Sequence, residues 1–200
     1  SLKEYFSVSQ LLDKQNEYSV SWVDSTSKKN RVRGWSFFAN HSKSEANFVP
    51  KKRKTFPFDP PISLINRTTT NLFNKVYFQK QNKKEARFKE DFETFFYPLD
   101  AINNWNKIYG KRGFYQYQSV IPNADAQDAT QEMLDVIAKS NQGSFLMVLK
   151  HFGEIENNGY LSFPLPGVTL AMDFPNRGYD TLKLFDTLDS IVTSVGGRLY

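Results

Sequence analysis

GFYQYQSVIPNADAQDATQEMLDVIAKSNQGSFLMVLK, residues 113 to 150, reads as strand, helix, strand. Gly113 to Ile121 carries aromatic and branched residues of the kind strands favour, and Pro122 breaks the run. Asn123 can cap a helix from Ala124 to Ser140, because its side-chain oxygen accepts the free N–H groups of a first turn. Ala126, Ala129, Met133, Leu134 and Ile137 recur at helical spacing and give that helix one apolar stripe. Gly143 offers a left-handed stop, and Ser144 to Lys150 forms the next strand.

The same rhythm flanks this unit on both sides. Downstream, a strand from Val168 to Phe174 precedes a helix from about Tyr179 to Val195, striped by Leu184, Phe185, Leu188, Ile191, Val192 and Val195. Gly196-Gly197 closes it, and Arg198-Leu199-Tyr200 starts another strand. Upstream, Ser7 or Ser9 can cap a short helix through Gln15. Tyr18 to Val23 then alternates at the strand period, with Tyr18, Val20 and Trp22 on one face. The polar link from Asp24 to Asn30 leads to a partner strand from Arg31 to Ala39. The middle is less regular. Leu64, Ile65, Leu72, Phe73 and Val76 suggest a helix from about Ser63 to Tyr77, although Thr68 to Thr70 is a weak helix-forming run. Phe92 to Tyr97 suits a strand or a loop. The stretches Lys51 to Pro61 and Asp100 to Arg112 read as loops, candidates for lids over a cleft.

Each helix has one apolar stripe, so each needs a surface to lie on. The fold class this implies is α+β: a largely antiparallel sheet with helices packed on one face, and right-handed crossovers joining parallel neighbours within each strand–helix–strand unit.

Composition narrows the function. Apolar residues make up 40% of the 200 and aromatics 16%, enough to build a core and to exclude a disordered chain. With no Cys, disulfides, thiolate metal sites and thiol nucleophiles are excluded, and two His cannot make an all-imidazole metal site. His41 and His151 read as ordinary surface or structural residues, and Asp91 and Glu93 as solvated rather than a paired acid and base. No run approaches a membrane span, and no signal peptide is visible. A cytoplasmic or peripheral-membrane location is the expectation. The chain opens Ser1-Leu2-Lys3 without an initiating Met, as a piece of a longer polypeptide or a processed chain would. The net charge of +5 is densest at Lys51 to Lys54. Those residues could meet nucleic acid or an anionic membrane, but their prolines favour a solvated loop tip.

Strand parity separates two faces. In Val168 to Phe174, Val168, Leu170, Met172 and Phe174 share one side, and Thr169, Ala171 and Asp173 the other. Gln116 and Gln118 lie together on their strand with Phe114 and Val120, while Leu146, Val148 and Lys150 share a side of theirs. Two amides and a lysine on such strands suit a binding face, since a polyol can satisfy the amides and an anionic group the lysine. An ordinary solvated sheet face satisfies the same parity.

The wording of the strands carries a resemblance. FYPLD (Phe96 to Asp100), WNKIYG (Trp105 to Gly110), GFYQYQSVIP (Gly113 to Pro122), SFLMVLKHFG (Ser144 to Gly153), LSFPLPGVTLAMDFP (Leu161 to Pro175) and GGRLY (Gly196 to Tyr200) are similar to the decaprenylphosphoryl-β-D-ribose 2-oxidase family, of the vanillyl-alcohol-oxidase-type flavoproteins. YSVSWVD (Tyr18 to Asp24) agrees with that family's corresponding strand. The resemblance covers nearly the whole chain and is looser from Arg31 to Phe96. It implies that residues 1 to 200 are the substrate-binding, or cap, domain of a larger FAD-dependent oxidoreductase, with the FAD-binding domain of the same polypeptide absent from this chain. Its reaction would be hydride transfer from a secondary alcohol of a sugar or lipid-linked sugar to flavin.

Carried over residue by residue, the resemblance places Trp22, Gln116, Gln118, Leu146, Val148, Lys150 and Phe152 in the substrate pocket and Tyr200 near the flavin. Thr169 and Ala171 stand where the family has an asparagine and a cysteine. The family's essential lysine lies beyond Tyr200, so no catalytic residue is assigned within the chain, and the isolated chain is expected to be inactive. A substrate-binding domain of an aldonolactone oxidase is the near alternative. A basic nucleic-acid or anionic-lipid module is the distant one; no nucleic acid is the expected partner, and peripheral membrane contact is compatible with a lipid-linked substrate.

Overall fold

The computed structural model describes residues 1–26, 32–43, 52–80, 87–154 and 159–200. Its elements, in chain order, are α1 Leu2–Leu12, β1 Tyr18–Val23, β2 Gly34–Ala39, β3 Lys54–Thr55, α2 Arg67–Lys80, α3 Phe92–Phe96, β4 Ile102–Asn103, β5 Phe114–Pro122, α4 Ala126–Ser140, β6 Met147–Phe152, β7 Gly167–Pro175, α5 Tyr179–Ser194 and β8 Arg198–Leu199. Six strands form one antiparallel sheet in the order β2-β1-β6-β7-β5-β8, giving the α+β class expected.

The crossovers differ from expectation. β5 and β6, joined by α4, are not neighbours, because β7 lies between them and pairs with both. Likewise β5 lies between β7 and β8, which α5 joins. Each helix therefore links strands that run parallel but one place apart, and the gap is filled from the other unit. Among the described residues the parallel pairing is confined to the short ladder of β3 and β4. Interleaving gives the long strands antiparallel ladders, whose hydrogen bonds are straighter than parallel ones.

The core lies between the sheet and helices α1, α4 and α5. Met133 and Ile137 of α4, Leu188 and Val192 of α5, and Leu149, Leu170, Met172 and Phe174 of the strands are all essentially inaccessible. Burying each such side chain contributes roughly 1.5–3 kcal/mol. The α4 and α5 stripes read from sequence are the buried ones.

Several ends moved for identifiable reasons. α1 starts at Leu2 rather than after Ser7 or Ser9, because Ser1 and Glu4 form a capping box: the Ser1 hydroxyl accepts from the Glu4 N–H, and the Glu4 carboxylate accepts from the N-terminus. α2 begins at Arg67, with the Asn66 side-chain Oδ1 accepting from the Thr68 and Thr69 N–H groups. Phe92–Phe96 is helical, neither strand nor loop, because Asp91 caps it by accepting from Glu93 and Thr94. α4 stops at Asn141, which takes the left-handed conformation (φ 55°) expected at Gly143. Asp125 rather than Asn123 occupies the start of that helix.

The expected loops carry short regular elements. β3 and β4 pair across them, and a 3₁₀ turn at Trp105–Tyr109 buries Tyr109 completely. Lys51, at the start of the basic run, lies outside the described residues, as do Ser27–Asn30 of the link and Arg31 of the expected partner strand. Among the described residues no helix is long and apolar enough to cross a membrane.

Candidate functional site

Residues that face each other across antiparallel neighbours point to the same side of the sheet. Trp22 faces Val148, Val148 faces Ala171, and Ala171 faces Gln118. The Tyr200 N–H donates to the Gln118 carbonyl and extends this row to the end of the chain. A second row runs Lys150, Thr169, Val120, Arg198. Gln116 faces Asp173. All of these lie on the side away from α1, α4 and α5, so Gln116, Gln118 and Lys150 share one face, as parity required.

That face is a trough rather than a bare sheet. α2 lies against its β1 end, where Tyr77 packs on Trp22 with ring centroids 4.7 Å apart. The Trp22 indole N–H donates to the Phe145 carbonyl at 2.9 Å, fixing the ring against the chain entering β6. Gly34 lets β2 approach β1 closely here, since a side chain there would strike the Trp22 backbone carbonyl. One long side is a wall of rings, with Tyr109 stacked 4.5 Å from Phe114 and Phe145 beyond. The opposite side is closed by Phe163, which meets Phe152 at 6.0 Å and Tyr200 at 5.3 Å. Arg198 holds that segment in place by donating to the carbonyls of Ser162 and Pro164.

The floor is graded in polarity. Val148, Ala171 and Gln118 are half-buried at its centre, and Thr169 and Val120 are buried under the Phe163 side. Lys150 and Gln116 are exposed. Each glutamine donates its amide nitrogen to β7: Gln116 to Asp173 at 3.1 Å, Gln118 to the Thr169 hydroxyl at 3.1 Å. Their carbonyl oxygens are thereby left as acceptors. Leu146 and Phe152 are half-buried at either end of β6. Tyr200 is 85% exposed and borders the trough. The register thus brings Trp22, Val148, Ala171, Gln118 and Tyr200 together, with Lys150 and Thr169 alongside. Two depressions of about 390 and 400 Å³ lie beside Asp59 and Lys107, behind the Phe114 wall, and between α4 and α5.

Two groups escaped the sequence reading. Asp173 is fully buried at the trough's edge, and burial pushes its carboxyl up to about 6 against the lowering effect of the Gln116 hydrogen bond. Tyr109 is buried beside it, and burial followed by the Asp173 charge raises its phenol far above the usual range. A carboxylate on the polar parity of an apolar strand was the available signal for Asp173; nothing in WNKIYG marked Tyr109 as buried. The histidines take structural places. His151 lies on the helix side, 2.8 Å from Asp13 and stacked on Tyr5, and His41 is exposed beside Tyr18. No cluster of three potential metal ligands occurs among the described residues.

The chain resembles decaprenylphosphoryl-beta-D-ribose oxidase. It is 33% identical over 196 residues to the protein of that name from Mycolicibacterium smegmatis (strain ATCC 700084 / mc(2)155), an alignment covering 92% of this chain. The chain spans 41% of the length of that relative. No family model matches it.

Proposed function

We propose that residues 1 to 200 form the substrate-binding domain of an FAD-dependent oxidoreductase that oxidises a secondary alcohol of a sugar or lipid-linked sugar. The observation that carries this reading is the cross-strand row of Trp22, Val148, Ala171 and Gln118 with Lys150 beside it, on the face away from the main helices, in a chain similar to an oxidase named for a lipid-linked sugar. An open trough with apolar side chains at its centre, two amide acceptors and one cation suits a ligand with hydroxyls at one end and an anionic link at the other.

The chain's fit to flavin is partial. Tyr200 offers exposed aromatic surface at the trough's rim, backed by the half-buried Phe163, suited to one side of a planar ring system. The sequence has no glycine-rich phosphate cradle, so the nucleotide part would be held by other residues of the longer polypeptide. Flavin, when bound, supplies the hydride acceptor. The work of this chain is positional: Gln116 and Gln118 accept from sugar hydroxyls, Lys150 meets the anionic end, and Trp22 with Tyr77 closes one end of the trough.

Lys150→Met tests the assignment in the longer protein. It keeps the apolar stem and removes the charge from an exposed position, so thermal stability should be unchanged. Activity on a lipid-linked sugar should fall by roughly two orders of magnitude, the scale of losing one orienting charged group. Normal turnover and normal substrate affinity in this variant would defeat the reading.

A further inference from the structure

Asp173 bonds the side chain of Gln116 across the β5–β7 ladder at the trough's edge. The Gln116 amide nitrogen lies 3.1 Å from one carboxylate oxygen, and the other oxygen of Asp173 has no hydrogen-bond partner among the described residues. An ionised carboxylate only accepts, so it admits the NH₂ end of the amide and turns the carbonyl end outward. A protonated carboxyl can donate instead, and would then take the carbonyl end. Gln118 is held differently. Its amide nitrogen donates to the Thr169 hydroxyl, which does not titrate, so its orientation is independent of pH.

The surroundings of Asp173 leave this pair to act alone. Facing it from the Trp105–Tyr109 turn is Tyr109, whose buried phenol stays protonated and uncharged. On β5 its partner is the uncharged Gln116, and on the β6 side the chain leads from Met147, opposite Met172, to the uncharged Leu146. No cation pairs with it among the described residues.

We propose that Asp173 determines which end of the Gln116 amide the trough presents: an acceptor when the carboxyl is ionised, a donor when it is protonated. This rests on the trough being the substrate site, and it gives that site a direction. With Asp173 ionised, the Gln116 end offers acceptor oxygen to hydroxyl donors and repels anions, while Lys150 attracts them from the other end. A sugar carrying a phosphoryl link is thereby aligned one way round. Asp173 is a positioning residue, acting on substrate through Gln116. Burial places the change near pH 6, within reach of ordinary assay conditions.

Nuclear magnetic resonance of the 200-residue chain tests the coupling. The side-chain amide signal of Gln116 is identified by its loss in Gln116→Leu. It should shift between pH 5 and 7.5 with a midpoint near 6, and in Asp173→Asn it should stay still over the same range. A Gln116 amide signal that is pH-invariant in the unmodified chain, or one that still titrates in Asp173→Asn, overturns the proposal. In the longer enzyme, KM for the lipid-linked sugar should rise about threefold to tenfold as pH falls from 7.5 to 5, with less change in kcat, and this rise should be lost in Asp173→Asn. The same rise in the variant would also overturn it. Failure of the substrate assignment is read separately, by normal behaviour of Lys150→Met, since the amide titration needs no substrate.

Discussion

Asp173 costs the fold free energy that its place in the trough explains. Its folded carboxyl ionises near pH 6, whereas an exposed aspartate does so near 3.9. Below the lower value both states hold the proton and the group is neutral in folding. As pH rises between the two, the unfolded chain releases its proton while the folded chain keeps it, so stability falls, and the loss is complete above about pH 6. Two pH units of difference correspond to about 2–3 kcal/mol. Asp173→Asn keeps the shape and removes the charge. Urea denaturation should therefore find the variant about 2 kcal/mol more stable than the unmodified chain at pH 8 and equal to it near pH 3.5. Equal or lower stability at pH 8 would mean that the carboxylate is not held at a cost. At this scale the sequence was informative about direction and silent about depth. A two-residue period pairs Gln116 with Gln118, Val148 with Lys150, and Ala171 with Asp173 within their own strands, and the register then joins the three sets on one side. That Asp173 is buried depends on neighbours such as Tyr109, which comes from a separate turn.

α2 shows how an element can be found and its orientation missed. Leu72, Phe73 and Val76 marked the helix in the sequence, yet they are exposed, and the helix buries Thr70 and Asn74 instead. The reason is a polar anchor that hydropathy cannot register. The Asn74 amide donates to Asp24 at 2.7 Å; Asp24 also accepts from Thr26 and from the Arg33 guanidinium at 2.9 Å, and Arg33 in turn lies over Phe78. One buried carboxylate thus ties α2 to the strand pair β1 and β2 and sets Tyr77 on Trp22. Asp24→Ala should cost about 2–4 kcal/mol, because it strands the buried Asn74 and leaves Arg33 without its acceptor. Leu72→Ser, on the exposed side, should cost under about 0.5 kcal/mol. Chemical denaturation followed by tryptophan fluorescence measures both, and equal costs would show that the helix is held by its apolar side. By contrast α4 and α5 were legible because their stripes alone decide which side is buried. Their ends were less so: Ser1 with Glu4 and the left-handed Asn141 are local choices that compete with several plausible caps nearby.

The arrangement of the molecule as a whole lay furthest from the sequence. Each strand–helix–strand unit is local and readable, but the two C-terminal units interleave, so that β7 separates β5 from β6 and β5 separates β7 from β8. Nothing within either unit specifies that exchange; it emerges when both sets of apolar faces share one core. Interleaving is also what assembles the trough, since Val148, Ala171 and Gln118 adjoin only because β7 sits between β6 and β5. The central claim is that a sugar ligand occupies this row. Ala171→Cys places a thiol at its middle, on a half-buried position that a thiol reagent can reach. In the longer protein, labelling at position 171 can be followed by mass spectrometry with and without the decaprenylphosphoryl-linked ribose for which the relative is named. At ten times the concentration that half-saturates the variant, ligand seated in the trough should slow labelling about tenfold. Labelling at the same rate with and without the sugar, under conditions where the variant turns it over, would contradict the account.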